Sequence, residues 1–155
     1  MKIEKLTKHA FSRFGDVVEM EDAQHYTINQ GFAERFNDLA KIDVAIDGGA
    51  VNLAIFTAQP RPKPIVIHLM ERHPLGTQLF YPLQDEDWLV LVCDDPLHVE
   101  TFHLFRATGK QGVNYGRSIW HHPLLVHAKS RFLIVDRKGP GNNLEEMTLP
   151  FNLQI

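Results

Sequence analysis

Short apolar runs rich in β-branched and aromatic residues recur along the chain, each closed by glycine, proline, asparagine or aspartate. The clearest are Val51–Ala58, Ile65–Met70, Gln78–Tyr81, Trp88–Cys93, Thr101–Ala107, Leu124–Ala128 and Arg131–Asp136. Each has the length of a strand and ends on a turn signal such as Asp94-Asp95-Pro96 or Thr108-Gly109. With Asp16–Glu19 as a brief strand and Met147–Leu149 as a last edge strand, the pattern predicts roughly eight to ten strands, turning about every 8–12 residues. That spacing belongs to an all-β sandwich or barrel. Trp88–Cys93 is apolar on both strand faces. It should be central and covered from both sides, in part by a subunit contact. One helix is predicted over Thr7–Gly15, with Thr7 as N-cap and Gly15 as the stop. Tyr26–Ala40 alternates imperfectly, broken by turn signals at Asn29-Gln30-Gly31 and Asn37-Asp38. In Gln59–Pro64 proline stands at alternate positions, the mark of an extended surface connection within one domain.

One strand ends unlike the others. Side chains alternate along a strand, so Ile65, Ile67, Leu69, Glu71 and His73 should share a face. That face is apolar and then becomes a carboxylate and an imidazole, as where a barrel strand opens onto a polar pocket. Pro74 and Gly76 turn the chain, and Gln78 begins the return.

Composition narrows the functional classes. The 155 residues form a single domain, 1–155, large enough for a substantial core. A net charge of −3 with no basic stripe or arginine-rich tail argues against nucleic acid. No apolar run approaches the ~20 residues of a membrane helix, and the first residues lack an apolar signal core. The lone Cys93 has no disulfide partner and reads as a buried structural thiol. A reducing, cytoplasmic location is the expectation. Arg35, between Phe32 and Phe36, suits either a stem packed on an apolar surface or an anion contact.

The nine histidines carry the chemical signal through their placement. Glu71 and His73, two apart, point the same way, and the turn brings Gln78 back beside them. His121 and His122 are adjacent and point to opposite faces, so at most one is a direct ligand from a regular strand. Imidazole with carboxylate in an open site suits a divalent transition metal. The same spacing also suits satisfied, partly buried histidines. His9 and His25 read as surface residues. His68 reads as packing or surface, and His98, His103 and His127 as structural, since they lack a partner at ligand spacing.

At these residues the sequence resembles a known family. Glu71-Arg72-His73-Pro74-Leu75-Gly76-Thr77-Gln78, Gly112-Val113-Asn114-Tyr115 and Trp120-His121-His122-Pro123-Leu124 look like the signatures of ureidoglycolate lyases. Asn29, Gly31, Arg35, Asp38-Leu39-Ala40, Ala58-Gln59-Pro60 and Asp136-Arg137 match as well, in the right order along the whole chain. The resemblance implies a cupin-like double-stranded β-barrel (jelly roll) with one or two short helices. It also implies a homodimer that cleaves ureidoglycolate to glyoxylate and urea in allantoin degradation. Glu71 and Gln78 depart from the common cupin pattern of His-x-His, then Glu. His121, by position at the end of the second motif, is the preferred inward histidine.

The substrate sets the remaining demands. Ureidoglycolate carries a carboxylate, a hydroxyl and a ureido nitrogen on one carbon, so the site needs a base, an acid and a cation. A divalent ion (nickel, zinc or manganese) on Glu71, His73, Gln78 and His121 would lower the hydroxyl pKa. Glu71 is a third ligand or the base, and His122 is the acid if the strand twists enough to admit it. Arg35 or Arg117 suits the carboxylate; Arg72 points to the other face. Asn29, Asn114 and Gln78 suit the ureido group. Two other readings remain, an amidohydrolase releasing ammonia and a small-molecule sensor that does not turn over.

Overall fold

The computed structural model describes every residue from Met1 to Ile155. Its regular structure is nearly all strand: β1 Ile3–Lys5, β2 Gly15–Val18, β3 His25–Ile28, β4 Ala33–Phe36, β5 Ala50–Ala58, β6 Val66–Arg72, β7 Gln78–Pro82, β8 Trp88–Cys93, β9 Phe102–Ala107, β10 Gly112–Tyr115, β11 Trp120–His121, β12 Leu125–Val126, β13 Ser130–Lys138 and β14 Glu145–Gln154. The single α-helix, α1, is Lys8–Phe11. Thr7 caps it, accepting from the Ala10 N–H at 3.1 Å, so the predicted start holds while the helix is shorter than expected. At Gly15, with φ of +144°, a Cβ would lie 1.9 Å from the Asn114 carbonyl oxygen, so only glycine allows β2 to pair with β10.

Two sheets hold the site. A seven-stranded sheet runs β1-β9-β8-β11-β6-β14, with β12 also paired to β8; a five-stranded sheet runs β2-β10-β7-β13-β5. No ladder joins them, so the expected jelly roll is open, a sandwich rather than a closed barrel. Between the sheets lies an apolar cluster including Phe80, Trp88, Val90, Val92, Phe105, Val113, Tyr115, Phe132 and Ile134, capped at one end by Phe11 and Phe14. A second cluster covers the other face of β8, packing Leu89, Leu91 and Cys93 against Ile67, Met70, Leu149 and Leu153. The two-faced burial predicted for Trp88–Cys93 is therefore present, but β6 and β14 of the same chain supply the outer cover, not a subunit contact.

The simple alternation expected along β6 breaks. Ile65 and Ile67 bury in the outer cluster together with Met70, which has the opposite parity. Glu71, by contrast, faces the space between the sheets, opposite His121. Across the ladder, β14 shifts register between Thr148 and Leu153, facing Leu69 and Ile67. Such an insertion bends and twists a strand and re-aims the residues beyond it.

One hairpin stands apart. β3 and β4 pair only with each other, and the turn between them presents Phe32 at 89% exposure. On the five-stranded sheet β5 is a free edge, with Val51, Leu53 and Ile55 exposed.

Candidate active site

The shortest strand makes the site. β11 is two residues long and fits between β8 and β6, pairing His121 with Val92 on one side and Glu71 on the other. Trp120 turns to the outer cluster and His121 to the inner one, so the alternation that separates adjacent residues also aims this imidazole inward. Gln78 opens β7 opposite Tyr115 of β10, and the Tyr115 ring stacks on His121 at 4.1 Å and 11°. His73 lies just past β6. Its backbone carbonyl accepts from Ser118 N–H at 3.0 Å, and its ring lies 5.3 Å from that of His121.

The hydrogen bonds fix which nitrogen of each ring is free. His73 Nδ1 is 2.6 Å from the Asn143 carbonyl, and His121 Nδ1 is 2.9 Å from the Ile119 carbonyl. A carbonyl can only accept, so both Nδ1 atoms carry the proton, and in the neutral rings both Nε2 atoms present lone pairs. Those lone pairs converge on Glu71 Oε1, at 4.0 Å from His73 and 3.6 Å from His121. The Gln78 side-chain oxygen adds a further acceptor 3.2 Å from His121 Nε2. His73 Nε2 is buried with no hydrogen-bond partner. Acceptors facing acceptors, with a donor missing, require a cation or a proton between them. One ligand atom each from Glu71, His73 and His121 lies within 4.8 Å of the others, so that small side-chain adjustments bring all three to the ~2.1 Å of bonds to a common ion. Histidines held through Nδ1 by backbone carbonyls are typical of metal ligands. The donor set fits a divalent ion.

Electrostatics follow from this packing. Burial pushes the Glu71 carboxyl up, but the neighbouring imidazoles, His121 foremost, outweigh it and hold the group below its ordinary range. Burial lowers His73, only partly offset by its bond to Asn143. Burial beside Glu71 raises the Tyr115 phenol, which stays neutral.

Glu71 forms part of the wall of a cavity of about 490 Å³, with Phe56, Phe80 and Leu124 as apolar walls and Thr57, Gln59 and Arg61 at the polar side. The structure thus gathers Glu71, His73, Gln78 and His121. It does not bring the other predicted residues to this cluster. Asn29 and Arg35 sit on the exposed β3–β4 hairpin. Arg117 is paired with Asp43 at 3.2 Å. Asn114 donates its amide to Asp16 (2.9 Å) and the Lys41 carbonyl (3.0 Å), because it points to the opposite face of β10 from Tyr115. His122 is buried, with Nδ1–H on the Pro123 carbonyl at 2.6 Å and its backbone N–H on Leu91. Burial lowers its pKa to about 4. Arg72 bonds Glu145 and covers the Trp120 ring, on the outer face as expected.

Residue spacing did not point to Tyr115, Asn143 or Arg61. Tyr115 was detectable, since it shares a strand face with buried Val113; Asn143, distant in sequence, left no signal. Gly76 is needed where the turn passes the buried Arg137, whose Cβ would be 2.7 Å from an added Cβ. Arg137 in turn donates to the Ile46 carbonyl at 2.9 Å and braces that loop.

The family profile described as ureidoglycolate lyase matches residues 1–155. The chain is 51% identical over 148 residues to ureidoglycolate lyase 1 of Rhizobium meliloti (strain 1021), covering 94% of this chain and 87% of that one. It is 47% identical over 152 residues to ureidoglycolate lyase of Burkholderia cepacia, covering 96% and 86%. Among solved structures, the oxalate decarboxylase of Lactobacillus farciminis in its formate complex aligns over 83% of this chain and 34% of its own, at 14% identity and a TM-score of 0.43, too loosely to bear on chemistry. With the profile spanning the whole chain and relatives this similar, the protein belongs to the ureidoglycolate lyase family.

Proposed function

We propose that this chain is a ureidoglycolate lyase, cleaving ureidoglycolate into glyoxylate and urea. The observation that carries the reading is the convergence of Glu71, His73 and His121, with Glu71 on the wall of a cavity, in a chain of this family. A divalent ion such as nickel, zinc or manganese, held by His73, His121 and one oxygen of Glu71 with Gln78 beside them, would supply positive charge that acidifies the substrate hydroxyl.

The chain's own groups do the rest. Glu71, ionised at neutral pH, takes the hydroxyl proton. The C–O electron pair closes to the carbonyl of glyoxylate as the C–N bond breaks. Protonated Glu71 then returns its proton to the departing nitrogen, which leaves as urea. No water enters the balance, and the walls formed by Phe56, Phe80 and Leu124 suit a reaction in which hydrolysis is to be avoided. Tyr115, stacked on His121 and neutral, keeps that ring in orientation. Neutral His122, occupied by the Pro123 carbonyl, braces the backbone beside the site in this reading.

Two broader assignments accompany the activity. The protein acts as a homodimer, supported by exposed Tyr26, Ile28 and Phe32 on the hairpin and by Val51, Leu53 and Ile55 on the free edge strand. It works in the cytoplasm, supported by an unpaired, buried Cys93; no helix is long and apolar enough to cross a membrane.

The test is incubation with racemic ureidoglycolate before and after chelation. Urea and glyoxylate should appear in equal amounts, stop on chelation and resume when a divalent metal is restored. Ammonia in place of urea makes the protein an amidohydrolase, and binding without turnover makes it a sensor.

A further inference from the structure

We infer that Arg61 forms the anion subsite of the cavity, receiving the carboxylate of a small 2-hydroxy or 2-oxo acid opposite Glu71. The inference rests on the lyase reading for its substrate class, but its geometry stands apart from it. The cavity wall contains one anionic side chain, Glu71, and one cationic side chain, Arg61. With the hydroxyl given to Glu71, the substrate's carboxylate needs a cation of its own along the same wall. The ion-paired arginines are Arg13 with Asp94, Arg72 with Glu145 and Arg117 with Asp43; Arg61 is not among them. Arg137 is buried against the Ile46 carbonyl, and Arg35 lies on the hairpin. Arg61 is therefore the guanidinium free to donate a bidentate pair into this space.

The local sequence holds it there. Arg61 lies between Pro60 and Pro62, with Pro64 beyond, and each proline ring fixes its own φ. The backbone conformations that could swing Arg61 away are thereby reduced before substrate arrives. Gln59 and Thr57, next along the same strap and edge strand, add polar groups around the guanidinium. The positive charge is also felt inside the protein, where it contributes to keeping buried His122 neutral.

The experiment compares holo wild type with Arg61→Gln, Arg61→Lys and, as a control on an exposed arginine outside the cavity, Arg131→Gln. Urea release gives KM and kcat, and calorimetric titration with glyoxylate and with neutral glycolamide gives binding without turnover. R61Q should raise KM and weaken glyoxylate by roughly 10–100-fold, the loss of a charge-assisted pair, with kcat changed far less. R61K should recover part of that loss, R131Q should match wild type, and glycolamide should bind wild type and R61Q equally. Unchanged KM and glyoxylate affinity in R61Q, an equal loss for glycolamide, or no glyoxylate binding by the wild type would each overturn the subsite. If wild type released no urea, the lyase reading would fall, while the titration would still decide whether Arg61 binds carboxylate.

Discussion

The cavity wall and the β3–β4 hairpin are opposite solutions to placing polar groups. Behind the wall, where Glu71 meets His73 and His121, the three are held by two sheets, by the Asn143 and Ile119 carbonyls and by the Tyr115 ring. Their free atoms face one another because every other direction is filled. On the hairpin, Arg35 and Asn29 are exposed, and the two strands pair only with each other. A lone two-stranded hairpin is marginal in water, so nothing in its own fold aims its side chains. Polar residues become a site where the surrounding framework removes their alternatives.

The largest expected break in that contrast is at the wall. His73→Ala and His121→Ala should each cut urea release by on the order of 10³-fold or more while near-UV dichroism stays native. Metal content measured on the purified variants should fall with activity. Near-normal turnover in either would move the chemistry elsewhere.

The framework around the wall should also show in acid. His122 is held at about 4 by burial, against 6.5 for a free imidazole. Above 6.5 neither the folded nor the unfolded state takes the proton. As pH falls from 6.5 to about 4, the unfolded chain binds it and the buried ring does not, so stability drops by about 3 kcal/mol and then levels. The lowered Glu71 acts in the same direction, losing its stabilising contribution as pH falls through its folded value. Urea denaturation of chelated protein at pH 7 and pH 4.5 should reveal the loss, and His122→Asn should reduce it. Equal pH sensitivity in the variant would mean the ring is not the source.

At the hairpin the effects should be on association, not on folding. Phe32→Asp should shift the protein toward monomer in light scattering and change monomer stability by less than about 0.5 kcal/mol, as for an exposed site. A dimer of undiminished affinity would exclude this hairpin from the interface. Smaller still, Arg117→Gln should cost at most about 1 kcal/mol, the worth of a half-exposed ion pair, and leave KM unchanged. A raised KM would return Arg117 to the substrate's carboxylate. His98→Ala, exposed beside Asp95 and Glu100, should be neutral in both activity and melting temperature.

The legibility of these regions differs for physical reasons. Strands announced themselves through apolar runs and turn residues, and the two-faced burial of Trp88–Cys93 followed from its lack of polar positions. Glu71 and His73 were readable because both sit at one strand end. Asn114 misled because its residue type suits a ureido group equally well, while its face of β10 turns toward Asp16 and Lys41. The hairpin was visible only as turn signals, since its strands bury nothing that would impose alternation.

By itself the sequence determined the all-β class, the helix cap at Thr7 and the strand that ends in a carboxylate and an imidazole; periodicity left His121 and His122 open, and the family resemblance favoured His121. What it determined depends on local periodicity and on residues near one another along the chain. The tertiary structure alone decided that Asn143 and Ile119 hold the imidazole protons, that Tyr115 stacks on His121, that β14 covers the outer face of β8, and that Arg61 shares a cavity with Glu71. The pairings of His73 with Asn143 and of β8 with β14 join residues far apart along the chain, and all of them depend on the order in which strands enter the sheets.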